Sequence, residues 1–292
     1  MLWQRLITGP LLILAILGIV WIDARVDAAS IERGLPPGLV LAGLLVVLSV
    51  LIAREVAAFL RATGAPVSGG VCAIAAMLGL VGTAGSTLAQ TKVGVAGIVA
   101  TALALILLLA LLRMSRDRDP KGSLLLVGGA LLAGVYGGVL PGFWALIRLE
   151  HTPWLLVAAI LTTKSSDIGA YFTGMTIGRH KMIPWLSPKK TWEGLLGGIV
   201  FAAAVGGVLA HFSAALPQES DRYPWWVGAV AGALAAVVGQ AGDLAESAFK
   251  RDAGLKDSGR ILPGMGGVLD VLDSPLFTGP LFYWLLRLAP HV

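Results

Sequence analysis

Apolar stretches long enough to cross a bilayer recur from one end of this chain to the other, at roughly residues 6–22, 36–53, 67–90, 93–112, 123–147, 153–177, 194–215, 224–249 and 264–289. A hydrocarbon core about 30 Å thick needs about 20 apolar residues in an α-helix. Backbone amides in lipid must be satisfied within their own segment, so spans of this kind are helices. The pattern predicts an all-α, polytopic integral membrane helical bundle of about nine transmembrane helices. Composition agrees, since 57% of the 292 residues are hydrophobic and 13% are charged, where a soluble domain carries about a quarter charged. Too few polar side chains exist to cover a water-facing surface.

The third segment is weakened by Gly and Ser, and the sixth and ninth contain charges, so those two are expected to be broken or only partly embedded. Lys and Arg cluster in alternate connections: Arg113, Arg116, Arg118 and Lys121; Arg179, Lys181, Lys189 and Lys190; Lys250, Arg251, Lys256 and Arg260. The intervening connections hold only scattered Arg25, Arg33, Lys92, Arg148, Arg222 and Arg287. By the positive-inside rule the N-terminus lies inside and the C-terminus outside. The first segment lacks a convincing signal-peptidase site and is read as a retained anchor.

No connection is long enough for a soluble domain. Residues 1–150 read as N-terminal transmembrane helices and 151–292 as a C-terminal transmembrane catalytic region of one continuous membrane domain. The single cysteine, Cys72, excludes an intrachain disulfide and a cysteine zinc site. The net charge of +5 reads as orientation and contact with anionic headgroups rather than nucleic-acid binding. The first half reads as plain lipid-facing helix with polar residues only in loops; from Lys164 onward they enter the spans.

Ionisable groups inside spans are expensive and mark a pathway or a site. Four stretches qualify. In TTKSSDIGAY (162–171), Lys164 and Asp167 stand at i and i+3 and can pair on one helix face. They read either as a packing ion pair or as the polar wall of a cytoplasm-facing cavity. In the connection GRHKMIPWLSPKKTWEG (178–194), Ser187, Lys189, Lys190 and Thr191 bring two cations and two hydroxyls around a turn-setting proline, a set suited to one phosphate. In GQAGDLAESAFKRD (239–252), Asp243, Glu246, Ser247 and Lys250 share one helix face. In KRDAGLKDSGRILPGMGGVLDVLDS (250–274), four cations and five glycines precede Asp270 and Asp273, again at i and i+3. Glycines let backbone N–H groups approach an anion closely.

Oxygen donors without His or Cys clusters suit Mg²⁺, which binds through a few carboxylates plus substrate phosphates. From residues alone the reading is a membrane-embedded, metal-dependent site that handles phosphates.

The run SAFKRDAGLKDSGRILPGMGGVLDVLD (247–273) resembles the signature of the phosphatidate cytidylyltransferase, or CDP-diacylglycerol synthase, family. SDIGAY (166–171), SPKKTWEG (187–194) and GDLAES (242–247) resemble family segments in the same order. The resemblance covers the C-terminal half well, and the N-terminal half mainly in hydropathy. It implies a nucleotidyltransferase making CDP-diacylglycerol and pyrophosphate from CTP and phosphatidic acid. It implies metal ligands at Asp243, Asp270 and Asp273, with Lys250 and Lys256 beside them in the catalytic set. Nucleotide and phosphate contacts would come from Ser187, Lys189, Lys190, Arg251, Asp257 and Asp167. Mg²⁺, a second cation such as K⁺, a homodimer and a bacterial-type inner membrane with a cytoplasmic active site are further expectations. The chain departs from the family pattern at Met265, where the family has His, and at Val271, where it has Arg. Alternatives are a cytidylyltransferase or kinase for another lipid phosphate or polyprenol, a weakly active paralogue, or a transporter. Transporters are disfavoured because the intramembrane charges sit in one half only.

Overall fold

The computed structural model describes residues 2–88, 94–117, 121–216 and 218–290. Among them the helices are α1 (Leu2–Glu32), α2 (Leu39–Ala62), α3 (Gly69–Leu88), α4 (Gly94–Asp117), α5 (Ser123–Gly134), α6 (Leu140–Glu150), α7 (Pro153–Ile177), α8 (Trp192–Ser213), α9 (Trp225–Asp252) and α10 (Leu269–Leu288). A π-helical turn, Val135–Val139, joins α5 and α6 into one rod. The one sheet among the described residues is an antiparallel hairpin of β1 (Lys181–Ile183) and β2 (Ser187–Thr191).

With α5–α6 taken as one rod, a described helix overlaps each expected segment, and residues 89, 90 and 93 of those segments lie outside the described residues. Six are long and apolar enough to cross a membrane: Ile7–Glu32, Leu39–Ala62, Gly97–Ser115, Ser123–Glu150, Trp192–Ser213 and Trp225–Asp252. The helices outside that set, α3, α7 and α10, are those weakened in sequence by small residues or charge. Lys92 and Arg118, both used in the charge pattern, lie outside the described residues. Large apolar side chains stand fully outward, Leu124 at 87%, Val200 at 70% and Phe212 at 67% exposure, far beyond what a soluble surface carries. The chain is an integral membrane protein.

Two compact units divide the chain: Met1–Leu149 with Phe249–Val271, and Glu150–Ala248 with Leu272–Val292. In the first, α3 packs against α2, α4, α5 and the π-turn. The approach is backbone to backbone, since a Cβ on Gly138 would lie 2.2 Å from the Ala76 carbonyl and one on Gly79 2.4 Å from that of Gly134. Ser49 donates to the Gly137 carbonyl inside the π-turn, anchoring the bulge to α2. Arg148 is buried and donates to Asp23 at 2.6 Å and to Asp27. Asp23 also accepts from the Val40 and Leu41 amides, both at 3.0 Å, and so caps α2.

The expectation that the first half keeps its polar residues in loops is therefore corrected. Asp23, Ser49 and Glu55 lie within helices and are buried. Burial is tolerated because each side chain meets a backbone donor or acceptor or an opposite charge.

The second unit is zipped by small residues, as helices in lipid commonly are. A Cβ on Gly169 of α7 would lie 2.8 Å from the Gly197 carbonyl of α8, and one on Gly198 2.9 Å from that of Ser166. Between α8 and α9, Gly206 and Gly228 meet so closely that a Cβ on either would lie 2.2 or 2.1 Å from the other's carbonyl. Asp221 ties down the start of α7, accepting from the Thr152 amide at 2.9 Å and pairing with His151 Nδ1 at 2.7 Å.

Gly228→Leu is expected to destabilise the folded protein by about 1–3 kcal/mol or more through overpacking. Gly43→Ala, on α2 with no atom within 4 Å of the added methyl, should be neutral or stabilising by up to about 1 kcal/mol. Thermal melts in detergent check both, and equal melting temperatures for the two variants would contradict the packing described.

Candidate active site

In the second unit α9 and α10 approach across glycines. A Cβ on Gly242 would lie 2.7 Å from the Asp273 carbonyl, and one on Gly239 3.2 Å from the Ser274 Cβ. This contact brings the α10 carboxylate beside the α9 face that carries Asp243 and Glu246. One carboxylate oxygen each from Asp243, Glu246 and Asp273 lies within 4.8 Å of the other two. Glu246 and Asp273 are buried, at 1% and 8% exposure. Like charges at that separation repel by about 3 kcal/mol per ionised pair at an effective dielectric of about 20. The cluster therefore needs neutralising, by cations or by a shared proton.

Two lysines provide part of the positive charge. Lys190 Nζ ion-pairs with Asp243 Oδ2 at 2.7 Å. Lys164 Nζ stands 3.1 Å from Asp167 Oδ2 and 3.8 Å from Asp273 Oδ1. Three oxygen-bearing carboxylates at this spacing, with no sulfur or imidazole donor among them, fit a hard divalent cation of the Mg²⁺ class. Bound there, such an ion would be held by Asp243, Glu246 and Asp273.

A cleft of about 420 Å³ opens beside Asp243, lined by Asp167, Lys181, Lys189, Lys190 and Gln240, with Tyr171 and Met175 on its apolar side. The hairpin builds its cationic wall. Lys181 pairs in register with Thr191 and Ile183 with Ser187, so β2 delivers Lys189 and Lys190 directly to α8. The Thr191 hydroxyl accepts from the Gly194 amide at 3.1 Å as the N-cap of α8. Trp185 at the hairpin turn is 82% exposed, as suits an aromatic at a membrane interface.

In the first unit the loop between α9 and α10 folds over its own glycines, with φ of +67°, +76° and +100° at Gly254, Gly264 and Gly266, a region costly for other residues. Asp270 sits in the first turn of α10. Its Oδ2 accepts from the amides of Ser258 and Gly267, both at 2.8 Å, and its Oδ1 receives Lys250 Nζ at 2.6 Å. The short loop N–H groups and the lysine thus converge on one carboxylate.

A sequence model described as the cytidylyltransferase family matches residues 3–289. The chain belongs to the cytidylyltransferase family. A Synechocystis sp. (strain ATCC 27184 / PCC 6803 / Kazusa) protein named phosphatidate cytidylyltransferase is 36% identical over 192 residues, 56% of this chain and 62% of that protein. A Bacillus subtilis (strain 168) protein of the same name is 41% identical over 164 residues, 56% and 59% of the two chains. Uncharacterized protein YnbB of Escherichia coli (strain K12) is 36% identical over 188 residues, 57% and 61%. The chain spans about six-tenths of the length of these curated relatives.

Of the residues expected from sequence, Asp243 and Asp273 meet in one cluster, and Lys190 joins it. Lys189 and Asp167 line the cleft beside it. Ser187 lies at the far end of the hairpin register, opposite Ile183. Asp270 and Lys250 pair with each other in the first unit. Arg251, in the last turn of α9, and Lys256 and Asp257, on the loop after it, are exposed, Arg251 donating to the Leu255 carbonyl at 3.1 Å. Met265 sits in the tight turn that returns its amide to the Leu262 carbonyl at 3.0 Å, and Val271 is half-buried in α10.

Glu246 was absent from the expected ligands. Its signal was present, since it stands three residues after Asp243 on the face already singled out, but helical spacing alone does not tell a ligand from a neighbour on the same face. Lys181 is a second omission. Only its cross-strand pairing with Thr191 brings it to the cleft, and three-residue strands leave no periodic trace.

Glu246→Gln and Asp273→Asn should each weaken Mn²⁺ binding to the purified protein by on the order of tenfold or more, read by electron paramagnetic resonance. Asp252→Asn, at an exposed position on α9, serves as the control. Comparable weakening in all three would remove the cluster as a metal site.

Proposed function

We propose that the protein is a phosphatidate cytidylyltransferase, transferring the cytidylyl group of CTP to phosphatidic acid and releasing pyrophosphate. The observation that carries this reading is the pairing, within one unit, of an oxygen-only carboxylate cluster with a lysine-lined cleft in a membrane-embedded member of the cytidylyltransferase family. The names of the Synechocystis and Bacillus relatives support the substrate choice. We place the reaction at the cytoplasmic face of a bacterial-type inner membrane, with the N-terminus inside. Mg²⁺, a second monovalent cation and a homodimer belong to the same reading.

The chemistry asks little of proton transfer. A phosphate monoester has a second pKa of about 6, so the lipid phosphate arrives largely dianionic at neutral pH. One of its oxygens attacks the α-phosphorus of CTP, the α–β anhydride bond breaks, and its electron pair leaves with pyrophosphate. The obstacle is repulsion between two anions, so positioning and charge neutralisation dominate. Lys181, Lys189 and Lys190 would hold phosphate oxygens in the cleft. Tyr171 and Met175 give the acyl-bearing end of the lipid an apolar wall, and Gln240 offers amide hydrogen bonds to the nucleotide or the lipid. Lys250, Arg251 and Lys256 are assigned to the departing pyrophosphate, and Ser187, Asp167 and Asp257 to orienting substrate. A divalent ion bound by the carboxylates supplies Lewis-acid neutralisation of the nucleotide phosphates.

Reconstituted in liposomes with CTP and phosphatidic acid, the protein should yield CDP-diacylglycerol and pyrophosphate one for one, and chelation of divalent ions should stop it. Lys190→Ala is expected to lower kcat/KM by on the order of 10²-fold. Turnover with another lipid phosphate but not with phosphatidic acid would overturn the substrate assignment. Solute flux without nucleotide turnover would overturn the enzyme reading.

A further inference from the structure

Within the first unit, α2 contributes one buried acid to the signature loop. Glu55, in the middle of the second half of α2, is 5% exposed. Its Oε1 accepts from the Val268 amide, and its Oε2 from the Leu269 amide and the Ser258 hydroxyl, each at 2.8 Å. Two of the orphan N–H groups that open α10 are thus satisfied by a side chain more than two hundred residues away in sequence. An ordinary N-cap would come from a Ser, Thr, Asp or Asn just before the helix. Here that position is Val268, preceded by Gly267. A Cβ on Gly259 would lie 2.7 Å from Glu55 Oε1, and one on Gly267 2.5 Å from it, so both glycines leave room for this carboxylate.

Ser258 carries the contact onward. Its amide donates to Asp270 Oδ2 at 2.8 Å, and its hydroxyl lies 2.8 Å from Glu55 Oε2 and 2.9 Å from Asp270 Oδ2. One hydroxyl has one proton, so it donates to one acid at a time. Asp270 in turn holds Lys250. The order is Glu55, Ser258, Asp270, Lys250, all within one unit. Burying a lone carboxylate costs several kcal/mol unless donors surround it. The Ser258 hydroxyl itself accepts from the Asp270 amide at 3.3 Å, so a serine already serves the helix start, and the glutamate adds the tie from α2 to the loop.

We propose that Glu55 is a positioning residue that sets Asp270 and Lys250, through Ser258, for the phosphate chemistry of the 250–270 loop. This rests on the cytidylyltransferase reading above. Glu55→Gln is the sharp test, because its amide nitrogen turns a donor toward backbone donors while keeping the shape. Relative to wild type and the exposed-site control Glu219→Gln, the variant should lose on the order of 10²-fold in kcat/KM for CTP. The KM for phosphatidic acid should hold. Ser258→Ala should give the same pattern, and the double variant should lose far less than the product of the two single losses. Hydrogen–deuterium exchange should rise at residues 258 and 267–270 and stay level in α7 and α8. Wild-type catalytic constants for Glu55→Gln, independent losses in the double variant, or unchanged exchange in the loop would each overturn the proposal. If wild-type protein itself makes no CDP-diacylglycerol, the function reading fails, while the exchange measurement still decides the role of Glu55.

Discussion

Carboxylates drawn together in an apolar bundle must be answered by positive charge, and that constraint organises the second unit. Asp243, Glu246 and Asp273 lie within 4.8 Å of one another on helices whose other faces are made for lipid. Lys190 and Lys164 are the protein's own reply. They leave an oxygen-lined locus whose donors fit a hard divalent cation. The same lysine that steadies Asp243 also lines the cleft, so the charge that makes the acid cluster tolerable is the charge a phosphate would meet.

Small residues make this arrangement possible. In lipid there is no gain from hiding apolar surface against apolar surface, so close backbone packing has to do more of the work. Gly242 lets the Asp273 backbone approach α9, Gly197 and Gly198 let α7 meet α8, and Thr191 starts α8 where the hairpin ends. The first unit uses the same device in its π-turn and in its signature loop. There Gly259 and Gly267 are small because a carboxylate occupies the space their side chains would take.

Legibility followed the range of the interaction. Asp243 and Asp273 were readable because charges at helical spacing in apolar runs are conspicuous. Lys164 and Asp167 were readable as a pair because i and i+3 positions share a face, and they stand 3.1 Å apart. Glu246 was half readable, its position on the right face plain and its role open. Glu55 was not readable at all. It follows Arg54 near the expected end of a span and resembles an interfacial charge, and its partners lie more than two hundred residues further on. The hairpin was read as a plain connection because strands of three and five residues carry too little alternation to register.

By itself the sequence determined that the chain crosses lipid, roughly where its helices run, and where charge enters its C-terminal spans. Hydropathy, helical spacing and a long polar signature are local properties that survive without coordinates. Tertiary structure alone decided which carboxylates share a locus, which lysines answer them, and that an acid on α2 reaches the start of α10. Those choices depend on how closely two backbones approach, and glycine spacing permits such contacts without naming the partner.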